Sequence, residues 1–338
     1  MKRVCVVGAG AIGIFMGTGL AHAGSEVSAL ARGRTAAALR AHGFRFEDNG
    51  VLRTAPVRVE EDTAALGPHD LVVLAVKGPS LPGLADAVRP LLGPATVVLT
   101  AMNGVPWWFF HGLGGPHDGA PVRAVDPDGR IAAAIPVRHV IGGVVHATCS
   151  VREPGLARHG FGRGLIVGEP AGGVSARVGA LADRLTAAGF ETTISERIQA
   201  DVWYKLWGNM TMNPMSALTG ATCDRLLDDP LLERFTLAIM AEAAAIGARI
   251  GCPIHQSGED RNAVTRKLGA FKTSMLQDVE AGKPLEIDGL LTAVSEIGRR
   301  VAVPTPSTDA LLGLARVFAA GRGLYPIPPL PREGERAG

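Results

Sequence analysis

Arg3-Val-Cys-Val-Val-Gly8-Ala-Gly10-Ala-Ile-Gly13-Ile-Phe-Met-Gly17-Thr-Gly19-Leu-Ala-His-Ala-Gly24 is the stretch on which the fold turns. Its opening is β-branched and apolar and reads as a strand; residues 14–23 read as a helix that stops at Gly24, and residues 26–31 as a second strand. Between strand and helix stands Gly8-x-Gly10-x-x-Gly13. Gly8 permits a tight turn, Gly10 lets a pyrophosphate approach the backbone, and Gly13 lets the helix pack closely on the strand. Ala9, Ala11 and Ile12 fill the spacer positions at the helix start, where free N–H groups face an anion. Three glycines alone are weak evidence, but strand, glycines, helix and second strand at βαβ spacing predict a dinucleotide-binding turn.

A competing reading of the same stretch is an export leader, because Lys2 and Arg3 precede an uncharged run and Ala21-His22-Ala23 imitates a cleavage site. Gly8, Gly10, Gly13, Gly17 and Gly19 dilute its hydrophobicity and weaken a spanning helix, and no later segment supplies a membrane span. The βαβ reading explains those glycines and the leader reading does not.

The corner after the second strand ordinarily holds a carboxylate when the ribose carries a free 2′-hydroxyl. Here it reads Ala31-Arg32-Gly33-Arg34, with no carboxylate. A guanidinium can hold a phosphate bidentately, so the expected cofactor is NADPH with Arg32 as its principal contact.

Residues 70–76 and 96–100 are apolar runs of strand length, buried on both faces of a parallel, doubly wound sheet. Lys77-Gly78 follows the first and Asn103-Gly104 the second, on the edge where an open α/β sheet places its ligand. Lys77 is therefore a candidate for the cofactor phosphates or ribose. Residues 106–138 are less regular and carry Trp107-Trp108-Phe109-Phe110, which either wall a pocket or pack the excursion on the core. Strands are expected at 140–149, 165–167 and 191–194, and a helix at 175–188. From residue 196 to about 320 helical patterns dominate. The expected organisation is a Rossmann-like α/β domain at 1–195, an all-helical substrate and catalytic domain at 196–323, and a proline-rich disordered tail at 324–338.

The composition narrows the partners. The chain has 338 residues, 34 Lys and Arg against 32 Asp and Glu, and a formal net charge of +2. Interspersed charge of this kind offers no basic face for a nucleic acid. Cys5, Cys149, Cys223 and Cys252 are widely separated, without ligand spacing, and read as reduced thiols of a cytoplasmic protein that needs neither disulfide nor zinc. A homodimer is compatible with the sequence and not required by it.

The chemistry concentrates in Trp203-Tyr-Lys205-Leu-Trp-Gly-Asn209-Met-Thr-Met-Asn213-Pro214. Lys205, Asn209 and Asn213 recur every four residues, so one helical face carries an ammonium and two amides through an apolar segment. That stripe suggests a cleft lining. Thr273-Ser274 and the carboxylates of Asp278, Glu286 and Asp288 follow; a helix cap and a first-turn charge would explain them without any site.

Taken together, these pieces resemble the ketopantoate reductase (2-dehydropantoate 2-reductase) family along the whole chain except the proline-rich tail. The resemblance implies a Rossmann domain and a helical domain, NADPH at the glycines and a small 2-oxo acid in the cleft between them. It implies Lys205 as general acid, Asn103 seating nicotinamide and substrate, and Asn209 and Asn213 lining the pocket. Ser274 would bind the substrate carboxylate, and Glu286 would pair with Lys205 and a substrate hydroxyl; Asp288 or Asp278 is the alternative to Glu286. The general-acid role suits the chemistry, because hydride delivery builds negative charge on the ketone oxygen and an ammonium there both stabilises it and donates the proton. The family pattern is broken at Cys223 and Phe271, where further pocket asparagines are expected, and the excursion at 106–138 is longer than usual. A pocket that is apolar at those places fits a more hydrophobic 2-oxo acid.

Other readings fit less well. A short-chain dehydrogenase needs Tyr-x-x-x-Lys, but Tyr204 is followed at that spacing by Gly208 and Tyr325 by Pro329. A zinc dehydrogenase needs ligand clusters, and the nine histidines include no HxxH pair. A β-hydroxyacid dehydrogenase shares the Lys-x-x-x-Asn helix but not the Ser274 and Glu286 segments. A non-catalytic NADP-binding protein is the reading from another class.

Overall fold

The structure, a computed structural model, describes residues 1–326. The described residues divide into two compact units, Met1–Leu206 with Gly247–Pro253 and Trp207–Ile246 with residues 254–326. The division falls inside a long helix that begins near the expected junction at residue 195.

The first unit is built on strands β1 (Arg3–Val7), β2 (Glu26–Leu30), β3 (Phe44–Asp48), β4 (Val51–Ala55), β5 (Arg58–Glu60), β6 (His69–Leu74), β7 (Leu92–Thr100), β8 (Val140–Glu153), β9 (Leu156–Gly168) and β10 (Glu191–Ile194). Its helices are α1 (Ala11–His22), α2 (Gly33–His42), α3 (Leu81–Val88), α4 (Arg130–Ala134) and α5 (Ala176–Ala187). The sheet runs β4-β3-β9-β8-β7-β6-β1-β2-β5, with β10 beside β9. β1, β2, β5, β6, β7 and the start of β8 are parallel, as the apolar runs predict.

The sheet is mixed, however, not parallel throughout. β8 and β9 form a long antiparallel hairpin, and β3 and β4 another. The second turns at Asn49-Gly50, both at positive φ, which matches the twist of the strands it joins. These extra strands cover α1. That helix packs on β1 and β2 and also against β3, β4, β8 and β9, so Ile14, Phe15, Met16 and Leu20 are all buried. A helix enclosed on both sides is apolar all round, which is why this segment imitates a leader. Each of those side chains contributes about 1.5–3 kcal/mol by leaving water. Gly17 makes room for Phe44, whose ring atoms lie 2.6 Å from where a Cβ would stand.

The second unit is helical. The long helix α6 (Ile198–Thr219) enters it, followed by α7 (Cys223–Asp228), α8 (Pro230–Arg249), α9 (Gly258–Arg266), α10 (Ser274–Glu280), a π-helical turn at Asp288–Thr292, α11 (Ala293–Arg300) and α12 (Pro306–Ala320). Helix starts are capped: Asp229 accepts from the Leu231 and Leu232 N–H groups, Ser257 from Asp260, Thr273 from Leu276, and the Glu242 carboxylate from Ser307 and Thr308. Leu324 and Tyr325, expected in the disordered tail, belong to this fold. Leu324 is buried and its carbonyl accepts from the Leu285 N–H, while the Tyr325 hydroxyl donates to Asp288 at 2.7 Å. The rest of the expected tail lies outside the described residues.

Candidate active site

The glycine turn is where the spacing predicts it, and each glycine has a separate reason. Gly8 has φ +99°, and a Cβ there would stand 2.8 Å from the Ala75 carbonyl oxygen. A Cβ on Gly13 would lie 2.0 Å from the Gly8 carbonyl oxygen. A Cβ on Gly10 would meet nothing within 4 Å. Gly10 is also the N-cap of α1, with no side chain capping the first turn and no acidic residue in it. The N–H groups at this helix start are thus uncapped over open space, which fits a bound pyrophosphate.

The neighbouring strands end in register with this turn. Backbone bonds tie Gly8 to Leu30, Ala75 to Val7 and Ala101 to Leu74. Arg32, Lys77 and Asn103 therefore leave the same carboxyl edge of the sheet, the place for a ligand in an open α/β sheet. Arg32 and Arg34 are exposed, and neither has a side-chain partner among the described residues. Lys77 is half-buried just before a 3-10 turn at Gly78–Ser80.

Lys205 joins this edge from far along the chain. Its ammonium donates to Asn103 Oδ1 at 2.8 Å and to the Val145 carbonyl at 2.7 Å. The excursion at 106–138 explains how the helix carrying Lys205 is held. Trp107, Trp108, Phe109 and Phe110 are buried, so the aromatics pack the core. Phe109 meets the Trp203 ring at 5.7 Å, and Gln199 donates to the His111 and Pro170 carbonyls at 2.9 and 2.6 Å. Arg197 donates to the Leu113 carbonyl. Gly247 adds a bare backbone against Trp203, where a Cβ would be 2.7 Å from Nε1.

The remaining candidates belong to the second unit. Asn209 is half-buried and Asn213 buried, four and eight residues beyond Lys205 on α6. Ser274 is exposed at the first position of α10; Thr273, not Ser274, supplies the cap, which leaves the Ser274 hydroxyl out of that duty. Glu286 is buried. Asp288 already accepts from Thr292 Oγ1 and the Tyr325 hydroxyl, and burial together with this bond pushes the Tyr325 phenol up to about 12. The two places that depart from the family pattern adjoin each other, since the Cys223 N–H donates to the Phe271 carbonyl at 3.1 Å. Burial raises the Cys223 thiol to about 11, so this cysteine is a small apolar group at neutral pH. Among the described residues no His, Cys, Asp and Glu cluster could hold a metal, and no helix is long and apolar enough to cross a membrane.

A dinucleotide turn, polar strand ends and a lysine aimed at that edge define an oxidoreductase built on a Rossmann-like unit with a helical partner unit. The comparisons name the family. The ketopantoate reductase PanE/ApbA model matches residues 4–172 and its C-terminal model residues 197–319, and the chain belongs to this family of pyridine-nucleotide-dependent reductases. It is similar to the 2-dehydropantoate 2-reductase of Mesorhizobium japonicum, 44% identical over 96% of this chain and 99% of that one. A crystal structure from Ralstonia solanacearum MolK2 with a provisional ketopantoate reductase name is 59% identical, covers 96% of this chain and 99% of its own, and superposes with a TM-score of 0.93. The 2-dehydropantoate 2-reductase of Methylococcus capsulatus is 29% identical with a TM-score of 0.78, over 95% of this chain and 97% of its own.

Proposed function

We propose that this chain reduces 2-dehydropantoate to pantoate with NADPH, a step of pantothenate and coenzyme A biosynthesis, in the cytoplasm. The observation that carries the proposal is the bond from Lys205 Nζ to Asn103 Oδ1 at the carboxyl edge of the sheet, beside the glycine turn. NADPH, when bound, would supply the hydride that the carbonyl carbon of the 2-oxo acid takes up. The protein supplies the rest. Lys205 donates a proton to the oxygen as negative charge grows there, and Asn103 keeps the ammonium at that edge. Residues 8–13 hold the pyrophosphate, Arg32 the 2′-phosphate and Lys77 the ribose or phosphates. Asn209 and Asn213 line the substrate pocket, Ser274 binds the carboxylate, and Glu286 keeps Lys205 charged and oriented. Asp288 is the weaker choice for that last role because Thr292 and Tyr325 already occupy it. Residues 1–195 serve the cofactor and 196–323 the substrate in this reading.

Cys223 and Phe271 favour a second substrate in the same class, a 2-oxo acid with a more apolar body. NADPH oxidation against a panel of 2-oxo and 3-oxo acids tests both. Turnover of 2-dehydropantoate above all others supports the first reading, and preference for a bulkier apolar 2-oxo acid supports the second. Turnover of 3-oxo acids alone, or cofactor binding without turnover, overturns both.

A further inference from the structure

The start of α6 and the end of α8 meet the excursion at 106–138 around a cavity of about 230 Å³. Every residue that lines it belongs to the first compact unit. None of them is assigned to the cofactor or to the substrate. Phe110, Leu113 and Ile250, all buried, form its apolar part. Arg197, Arg249 and His117 line it as well, and no Asp or Glu does.

The wall holds its charge in place. Arg197 Nη2 donates to the Leu113 carbonyl at 3.2 Å. On another side the guanidinium meets Gly251, at φ +75°, where a Cβ would stand 3.1 Å from Nη2 and 3.7 Å from Cζ. A neutral carbonyl and a bare backbone position this group without neutralising it. Arg249, the last residue of α8, has no side-chain partner among the described residues. A cation in the last turn of a helix complements the helix dipole, which would account for Arg249 alone but not for a second guanidinium and an imidazole in the same cavity. The acids close by in sequence are directed elsewhere. Asp118, next to His117, accepts from the Gly112 N–H at 2.7 Å, and Asp201, four residues beyond Arg197, accepts from the Ser195 hydroxyl. Glu196 is exposed and does not line the cavity. Gly114 and Gly115 contribute backbone alone, and their N–H groups have no partner among the described residues.

A concave surface lined by one sign of charge focuses its field and gathers the opposite ion. Guanidinium groups match the oxygens of carboxylates and phosphates. Pockets for drug-sized ligands run to about 300–1,000 Å³, so a smaller one suits a compact ion. We propose that this cavity is a second anion site, separate from the glycine turn, that takes a phosphate-type dianion, either free or as the phosphoryl group of a small monoester. Two arginines without a carboxylate call for two negative charges, which a monocarboxylate does not bring.

The test is calorimetric titration of inorganic phosphate and of glycerol phosphate into the full-length protein, with NADPH in excess so that the glycine turn and the Arg32 corner are filled. Wild type is expected to bind phosphate saturably, and acetate at equal ionic strength at least about tenfold more weakly. Arg249→Ala should weaken phosphate binding roughly 10- to 100-fold, as for loss of a charged hydrogen bond, while Tm and kcat in phosphate-free buffer stay unchanged. Arg249→Gln gives the same loss and decides the matter where the alanine variant does not fold. Glycerol phosphate binding as tightly as phosphate supports the site with a phosphoryl group as its ligand, and binding of inorganic phosphate alone supports it with the free ion. The absence of saturable binding to the NADPH-loaded protein overturns the proposal, as does binding that Arg249→Ala leaves unchanged or that acetate equals.

Discussion

Helices α1 and α6 both carry glycines and both place chemistry at a helix surface, yet they use the missing side chains in different ways. In α1 the surroundings are backbone and ring atoms that cannot yield: the Gly8 carbonyl faces Gly13, and the Phe44 ring faces Gly17. In α6 the neighbour of Gly208 is the end of a long flexible side chain. The first helix is apolar on every side because strands enclose it, whereas the second keeps a polar flank with Lys205 and Asn209. A glycine against backbone protects the fold, and a glycine against a guanidinium makes room for a charge.

The greatest effect expected is on α6. Lys205→Ala removes the proton donor and should lower kcat on the order of 10²–10⁴-fold, while NADPH still binds, as read by quenching of cofactor fluorescence. Retention of more than a tenth of kcat would remove Lys205 from its role. The comparison within α1 comes next. Gly13→Ala forces a Cβ onto the Gly8 carbonyl and should cost about 3 kcal/mol or more, seen as a large fall in Tm. Gly10→Ala should leave Tm nearly unchanged and weaken NADPH binding, because its Cβ enters open space. Similar melting for the two variants would refute the separate reasons assigned to these glycines.

Arg32→Ala tests the exposed corner after β2. It should erode the preference for NADPH over NADH by roughly 10- to 100-fold in kcat/KM, as for loss of a charged hydrogen bond; a change under about twofold would exclude the 2′-phosphate contact.

A smaller effect concerns the end of β9. Burial pushes the Glu169 carboxyl up, but bonds from Arg177 and Ser175 outweigh it and the net shift is downward. A carboxyl whose pKa is depressed on folding stabilises the protein above its unfolded pKa of about 4.3, and that stabilisation disappears as pH falls through the folded value. Glu169→Gln should therefore cost about 1.5 kcal/mol at neutral pH, with the gap to wild type closing in acid. A gap that persists below the folded pKa would point to packing instead of charge.

Much of the cofactor half was legible from residue order, because its logic is local. Turn, helix start and second strand lie within thirty residues, and each glycine acts on near neighbours. The β3–β4 hairpin was less visible. Asn49-Gly50 is a hairpin signal and Phe44-Arg-Phe-Glu-Asp48 alternates, but Val51-Leu-Arg-Thr-Ala55 does not, since Val51 and Leu52 stay exposed and only Ala55 is buried, so the second strand gives little apolar alternation. A proline-rich composition predicts disorder from residue 324, yet it hides one buried leucine, Leu324, and one bonded phenol, Tyr325.

The dinucleotide turn, the absence of a carboxylate after β2, the polar strand ends and the four-residue stripe of Lys205, Asn209 and Asn213 are readable from residue order alone, since each depends on one short segment. Packing of distant segments is what brings Lys205 to Asn103 and Val145, Cys223 to Phe271 and Arg261 to Gly208. Those pairs are separated by tens of residues. Their meeting depends on how whole helices and strands pack, which no local pattern of side chains encodes.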